Sequence, residues 1–90
     1  MDTNNVHIRV QQRNRSKCIT IISGMSKELD IDKITRFLKV KLNTHGAVKE
    51  VVELKNEKII QLAGDHRLSV RDFFIESEIY TSDQIVIHGG

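Results

Sequence analysis

Between Val6 and Gln11 apolar and polar residues alternate without a break, a pattern that suits a half-buried strand and fits no helix. A strand that buries Val6, Ile8 and Val10 points His7, Arg9 and Gln11 the other way. The alternation runs into Gln12-Arg13-Asn14-Arg15-Ser16-Lys17, and β-branched residues resume at once in Cys18-Ile19-Thr20-Ile21-Ile22. The two runs therefore read as a hairpin whose tip carries Arg13, Arg15 and Lys17 around Asn14. Residues 3–27 hold no carboxylate, so nothing nearby in sequence neutralises that tip. A polyanion is the partner such charge suits, with a plain solvated hairpin end as the other reading.

Ninety residues suit one domain that buries roughly two thirds of its unfolded surface, and they do not suffice for two cores. At 39% hydrophobic and 29% charged residues, the composition is that of a globular protein rather than a disordered one. The expected layout is a short disordered tail over residues 1–5 and a single domain over 6–90. No apolar run approaches the ~20 residues of a membrane span, and Met-Asp-Thr-Asn-Asn has none of the regions of a signal peptide, so the cytoplasm is the expected location. Cys18 is the only cysteine, which excludes an internal disulfide and a cysteine-based zinc cluster. A net charge of +2 is too small to argue for nucleic acid by itself, so the argument rests on where the charge sits.

Further along, Asp30 stands at an N-cap position before a helical pattern over Ile31–Leu42. At about 100° per residue, Ile31, Ile34, Phe37, Leu38 and Leu42 share an apolar face, and Lys33, Arg36 and Lys39 lie opposite. Lys41 flanks the apolar side and would snorkel, while Val40 sits among the basic residues, where packing asks for no apolar side chain. Gly46 is placed to stop this helix. Ala47–Leu54 reads as a strand, Lys55-Asn56-Glu57 as a turn and Lys58–Leu62 as its antiparallel partner. Gly64-Asp65-His66-Arg67 opens a second helix, with Asp65 able to cap its first N–H groups. Val70, Phe73, Phe74 and Ser77 form its main face, and Leu68, Ile75 and Ile79 form a second apolar stripe that a partner protein could cover. Gln84–His88 reads as the last strand. The order β-β-α-β-β-α-β implies an α+β fold: about five strands in one mixed sheet, with two helices on one face.

The residues now carry a family resemblance. His7-Ile8-Arg9-Val10-Gln11-Gln12-Arg13-Asn14 with Lys17, the basic helix followed by Gly46, Ile60-Gln61-Leu62 with Gly64-Asp65-His66-Arg67, and the terminal His88-Gly89 together resemble eukaryotic translation initiation factor 1. The resemblance runs from about Val6 to Gly89 and implies a two-layer α/β sandwich. It also implies a non-enzymatic factor that binds the small ribosomal subunit near the peptidyl-tRNA site, promotes scanning and gates initiator tRNA accommodation for accurate start-codon selection. On this resemblance Arg13, Asn14, Arg15, Ser16 and Lys17 are the rRNA-contacting loop, and Lys33, Arg36, Lys39 and Lys41 are a second basic surface. Asp65 and His66 match positions the family links to start-codon stringency, with helix capping as the competing role. The implied partners are the rRNA of the small subunit and, indirectly, the initiator tRNA region and other initiation factors. A monomer with no cofactor and no membrane contact is expected.

This sequence departs from the family pattern in several places. Arg15-Ser16 stands where members usually have glycine then arginine, so a positive φ at Arg15 would be strained. Val40 replaces a common lysine, and the Leu54–Glu57 turn lacks the usual proline and glycine. The short N-terminal tail implies reduced contacts to other factors. A ribosome-binding domain of the same fold, acting in reinitiation, recycling or modulation of host translation, is the alternative function. An enzyme would need Cys18 activated by His7, His45, His66 or His88, but Cys18 falls within a strand with no base beside it in sequence. The histidine spacings match no metal-ligand motif.

Overall fold

The computed structural model describes residues 5–51 and 57–89. In chain order it contains β1 (Val6–Gln12), β2 (Cys18–Ser23), α1 (Ile31–Lys41), β3 (Gly46–Val51), β4 (Glu57–Ala63), α2 (Arg67–Glu76) and β5 (Ile85–Ile87). A 3-10 turn, Ser82–Gln84, leads into β5. The expected element order holds, although β5 is shorter than Gln84–His88. The strand expected over Ala47–Leu54 is observed as Gly46–Val51; its remainder and most of the Lys55-Asn56-Glu57 turn lie outside the described residues, as does most of the expected tail.

All five strands join one sheet in the order β3-β4-β2-β1-β5. The β1–β5 pair is parallel and the other pairs are antiparallel, so the sheet is mixed. The register lines up Ile8, Ile22, Ile60 and Val48 across four strands, and Val10, Thr20, Leu62 and Gly46 in the next row. Because side chains alternate along each strand, these rows share one face. Both helices pack on it: Ile31, Ile34 and Leu38 of α1 and Val70, Phe73 and Phe74 of α2 join Val6, Ile8, Ile22, Ile60 and Leu62 in one core. Each fully buried large side chain there contributes about 1.5–3 kcal/mol. Among the described residues no helix is long and apolar enough to cross a membrane.

The start of α1 follows the sequence expectation, and the helix ends correct three others. Asp30 caps α1 as expected, its Oδ1 accepting from the Lys33 N–H at 3.1 Å. Gly46 does not stop this helix but starts β3. The chain turns at Asn43, whose φ of 51° is left-handed, with the N–H groups of Asn43 and Thr44 donating to Val40 and Lys39 carbonyls at 3.2 and 3.0 Å. The same pattern closes α2: Glu78 has φ 58°, and the Glu78 and Ile79 N–H groups donate to Ile75 and Phe74 carbonyls, each at 3.0 Å. Such closures satisfy the orphan carbonyls of a last helical turn and place an apolar residue against the helix it leaves. Ile79 accordingly packs on the core instead of extending an exposed stripe, whereas Ser77, assigned to the main face, is exposed.

Phe37 is a further correction. It lies at the margin of the apolar arc and stays 56% exposed, its ring 5.4 Å from that of Phe73. Val40, at 83%, is exposed as its place among the basic residues requires.

Candidate nucleic-acid interface

The hairpin tip is shaped by its own polar atoms. The Arg13 and Asn14 N–H groups both donate to the Lys17 carbonyl, at 2.8 and 3.1 Å, closing a five-residue loop. Inside it, Asn14 Oδ1 accepts from the Ser16 N–H at 3.0 Å and from Ser16 Oγ at 3.4 Å. Gln12 Nε2 braces the loop from below by donating to the Asn14 and Lys17 carbonyls. Asparagine is suited to this because its short amide mimics a backbone turn. Arg15 does not adopt a positive φ, since Asn43 and Glu78 are the only described non-glycine residues that do. The arginine in place of glycine therefore costs no left-handed strain. Asn14 and Ser16 work on the loop itself, while Arg13, Arg15 and Lys17 are exposed and, among the described residues, form no ion pair.

On α1, Lys33, Arg36 and Lys41 are exposed and Lys39 is half-buried. They too form no ion pair among the described residues.

The topology brings these segments together. β1 runs toward the hairpin tip and β2 runs back, so α1 starts at the far end of the sheet and ends near the tip. The Ala63 N–H donates to the His45 carbonyl and the Gly64 N–H to the Cys18 carbonyl, each at 2.9 Å. Thr44 Oγ1 adds a bond to the Ala63 carbonyl at 2.7 Å. The base of the hairpin loop, the exit of α1 and the turn into α2 thus form one continuous end of the domain.

The turn into α2 is the most tightly specified part of that end. Thr20, fully buried, donates through Oγ1 to the Gly64 carbonyl at 2.6 Å and accepts from the His66 N–H at 2.8 Å. Gly64 has φ +94°, and a Cβ there would lie 3.0 Å from His66 Nε2, so this position requires glycine. The same Nε2 is 2.8 Å from the Ala63 carbonyl and must carry the proton to donate to it. His66, not Asp65, is the N-cap residue of α2, and its side chain makes no cap bond. Asp65 Oδ1 receives the Arg67 N–H at 3.3 Å, but its stronger partner is the Arg67 guanidinium, through Nε at 3.0 Å and Nη2 at 2.9 Å. A two-pronged guanidinium fits a carboxylate best in this arrangement. The Arg67 hydrogen bond holds the Asp65 carboxyl below the ordinary carboxylate range despite some burial.

Arg67 also donates through Nη1 to the His88 carbonyl at 2.8 Å, tying this turn to the end of β5. His88 Nε2 lies 3.0 Å from His7 Nδ1, a contact across 81 positions of sequence. Sequence reasoning singled out Asp65 and His66 but gave Arg67 no role of its own. Only an arginine two positions after Asp65 hinted at the pair. Among the described residues no group of three or more histidine, cysteine, aspartate or glutamate side chains gathers to hold a metal ion. Cys18 is half-buried at the start of β2. Of the residues expected to form a protein-binding stripe, Leu68 is 67% exposed and Ile75 half-buried, while Ile79 faces the core.

Comparison with known proteins agrees with this architecture. The family model "Translation initiation factor SUI1" matches residues 2–80. A protein translation factor SUI1 homolog of Spuriopimpinella brachycarpa is 46% identical over 83 residues, covering 92% of this chain and 72% of the relative. Protein translation factor SUI1 homolog 2 of Arabidopsis thaliana is 42% identical over 84 residues, covering 93% and 73%. Among solved structures, the C-terminal domain of human eIF2D superimposes with a TM-score of 0.80 over 94% of this chain. That chain is 16% identical and only 43% covered, so the likeness is one of fold. The chain belongs to the SUI1 family of translation initiation factors.

Proposed function

We propose that this protein binds the rRNA of the small ribosomal subunit near the peptidyl-tRNA site, promotes scanning and sharpens start-codon selection in the cytoplasm. The observation that carries the reading is the convergence of the basic hairpin tip, the exit of α1 and the Gly64–Arg67 turn at one end of the sheet. Arg13, Arg15 and Lys17, with Lys39 and Lys41 at the exit of α1, contact phosphates there, and Lys33 and Arg36 extend the basic surface back along the helix. Contacts of this kind fix position without reading sequence. Asn14 and Ser16 hold the shape of the loop that presents them, and Asp65 acts with Arg67 to hold the turn beside it.

The protein is a non-enzymatic factor, so its effect on initiation is a matter of differential affinity. A domain seated near the peptidyl site disfavours full accommodation of initiator tRNA if it binds the open subunit more tightly than the closed one. Codon pairing then favours the closed state and lowers the affinity for the factor, which leaves. Initiator tRNA and other initiation factors are met indirectly, through the shared subunit, by a monomer.

The test is a paired reporter in a reconstituted or cellular translation system depleted of its own factor, comparing initiation at AUG with initiation at UUG. Addition of this protein lowers the UUG:AUG ratio. An unchanged ratio, with the protein bound to the subunit, contradicts the selection role and leaves only occupancy of the site.

A further inference from the structure

The chain has three phenylalanines and one tyrosine. Phe73, Phe74 and Tyr80 are buried, and Phe37 alone stands out at 56% exposure. Phe37 packs one side on Phe73 and leaves the rest of its ring in solvent, and its surroundings indicate what that free face could hold. Phe37 and Val40 lie on an open, shallow face of α1 lined besides by Lys33, Arg36 and Lys41, with no carboxylate among the described lining residues. Helical spacing puts Lys33, Phe37 and Lys41 in one row at four-residue intervals, with Arg36 and Val40 in the row beside it. The two lysines flank the ring along the axis, about 12 Å apart at the backbone.

We propose that Phe37 is a stacking platform for one unpaired nucleotide of RNA, with Lys33, Arg36 and Lys41 holding the phosphates on either side. This rests on the RNA-binding reading above and assigns to α1 a role beyond charge. Phe73 supports one side of the ring, at 5.4 Å between centroids and 38° between planes, and the rest of it lies on that open face. The platform is therefore held in place before a base arrives, which lowers the ordering cost of binding. Aromatic rings interleaved with cations are the arrangement by which splayed-out bases are held in single-stranded RNA. Val40 provides an apolar contact for the base edge or ribose where a further cation would only add charge.

The same face suits a protein partner less well. A stable protein interface covers about 800 Å² on each side around a desolvated centre. One phenylalanine and one valine ringed by cations do not make such a centre, whereas a single base needs no more than one ring face.

The test uses the full chain and a nine-nucleotide oligouridine carrying 2-aminopurine at its centre, at low salt. Stacking quenches the probe, so titration with wild-type protein lowers its fluorescence to a plateau. Phe37→Leu keeps an apolar side chain but removes the ring, and weakens binding by about 5- to 150-fold, the loss expected for one base stack. Phe37→Tyr binds like wild type. The salt dependence of Phe37→Leu stays that of wild type, because phosphate contacts rather than stacking release counterions. Equal affinity for Phe37→Leu and wild type, or a saturated complex without quenching, overturns the proposal. So does a Phe37→Leu variant that keeps its RNA affinity but loses binding to a protein factor, which would assign this face to that protein. Small-subunit binding, measured in parallel, separates this claim from the one it rests on. If wild type binds the subunit but the probe shows no ring-dependent quenching, the platform falls and the factor reading stands. If wild type quenches the probe but does not bind the subunit, the factor reading falls and the platform stands.

Discussion

Thr20→Val replaces a buried hydroxyl with a methyl of similar size and should cost more than Thr20→Ser, which keeps the hydroxyl and removes a methyl. Thr20 is 0% exposed, and its hydroxyl both donates to the Gly64 carbonyl and accepts from the His66 N–H. Valine fills the same space and makes neither bond. An unsatisfied buried polar group costs about 1–3 kcal/mol, and both groups lie at the edge of the core, so the lower part of the range applies to each. Their sum, less the gain from an added methyl, leaves a net loss of about 2 kcal/mol. Thr20→Ser keeps the hydroxyl and loses only a buried methyl, which costs about 1 kcal/mol. In urea unfolding, with a slope near 1 kcal/mol per molar for a domain this small, the Thr20→Val midpoint drops by roughly 2 M and that of Thr20→Ser by about half as much. Thermal midpoints fall by about 8–16 °C and 4–8 °C. A Thr20→Val loss below ~0.5 kcal/mol, or a Thr20→Ser loss as large as that of Thr20→Val, would refute the claim that this hydroxyl holds the turn.

The remaining predictions concern the helix ends and the Asp65–Arg67 pair. Glu78→Gly relieves a left-handed residue at the end of α2 and raises stability by about 1 kcal/mol in urea unfolding, because glycine adopts that φ without a Cβ penalty. Ile79→Ala loses about 1–2 kcal/mol while Leu68→Ala stays within ~0.5 kcal/mol, since only the first packs on the core. The Asp65 carboxyl is held below its ordinary value by Arg67, so the unfolded chain binds more protons between the folded and unfolded values. Its contribution is complete above the unfolded value of about 3.9 and is lost as pH falls through the folded one. Asp65→Asn and Arg67→Gln each flatten the fall of stability below pH ~4, as measured by thermal unfolding across that range. An unchanged acid limb in both variants would contradict the pairing.

Much of the fold was legible because it is local. The alternation from Val6, the β-branched run to Ile22, the Asp30 cap and the apolar spacing of both helices each specify an element within about a dozen residues. The number of layers followed from those elements. What escaped was either marginal or distant. Phe37 lies where the apolar arc of α1 meets its basic face, and periodicity cannot say on which side a marginal residue falls. Asn43 and Glu78 close their helices without glycine, so the expected span of α1 to Leu42 was close while its stop was assigned to Gly46 instead of Asn43. The parallel pairing of β5 with β1 and the contact between His7 and His88 join the two ends of the chain. The hairpin charges were visible from sequence. Their neighbours at the same end of the sheet appeared only once β4 was seen to link Cys18, His45 and the α2 turn.

The central claim is that the basic hairpin tip seats this factor on the small ribosomal subunit, and equilibrium binding across a salt series tests it most directly. Labelled wild-type protein and the Arg13→Ala/Arg15→Ala/Lys17→Ala variant are titrated against purified small subunits, with an authentic initiation factor of the family as unlabelled competitor. The account predicts saturable, competed binding by wild type, weaker binding by the variant, and a slope of log affinity against log salt shallower by about 2–3 for the three lost phosphate contacts. Wild-type affinity and slope in the variant, or binding by wild type that the competitor does not displace, would contradict it.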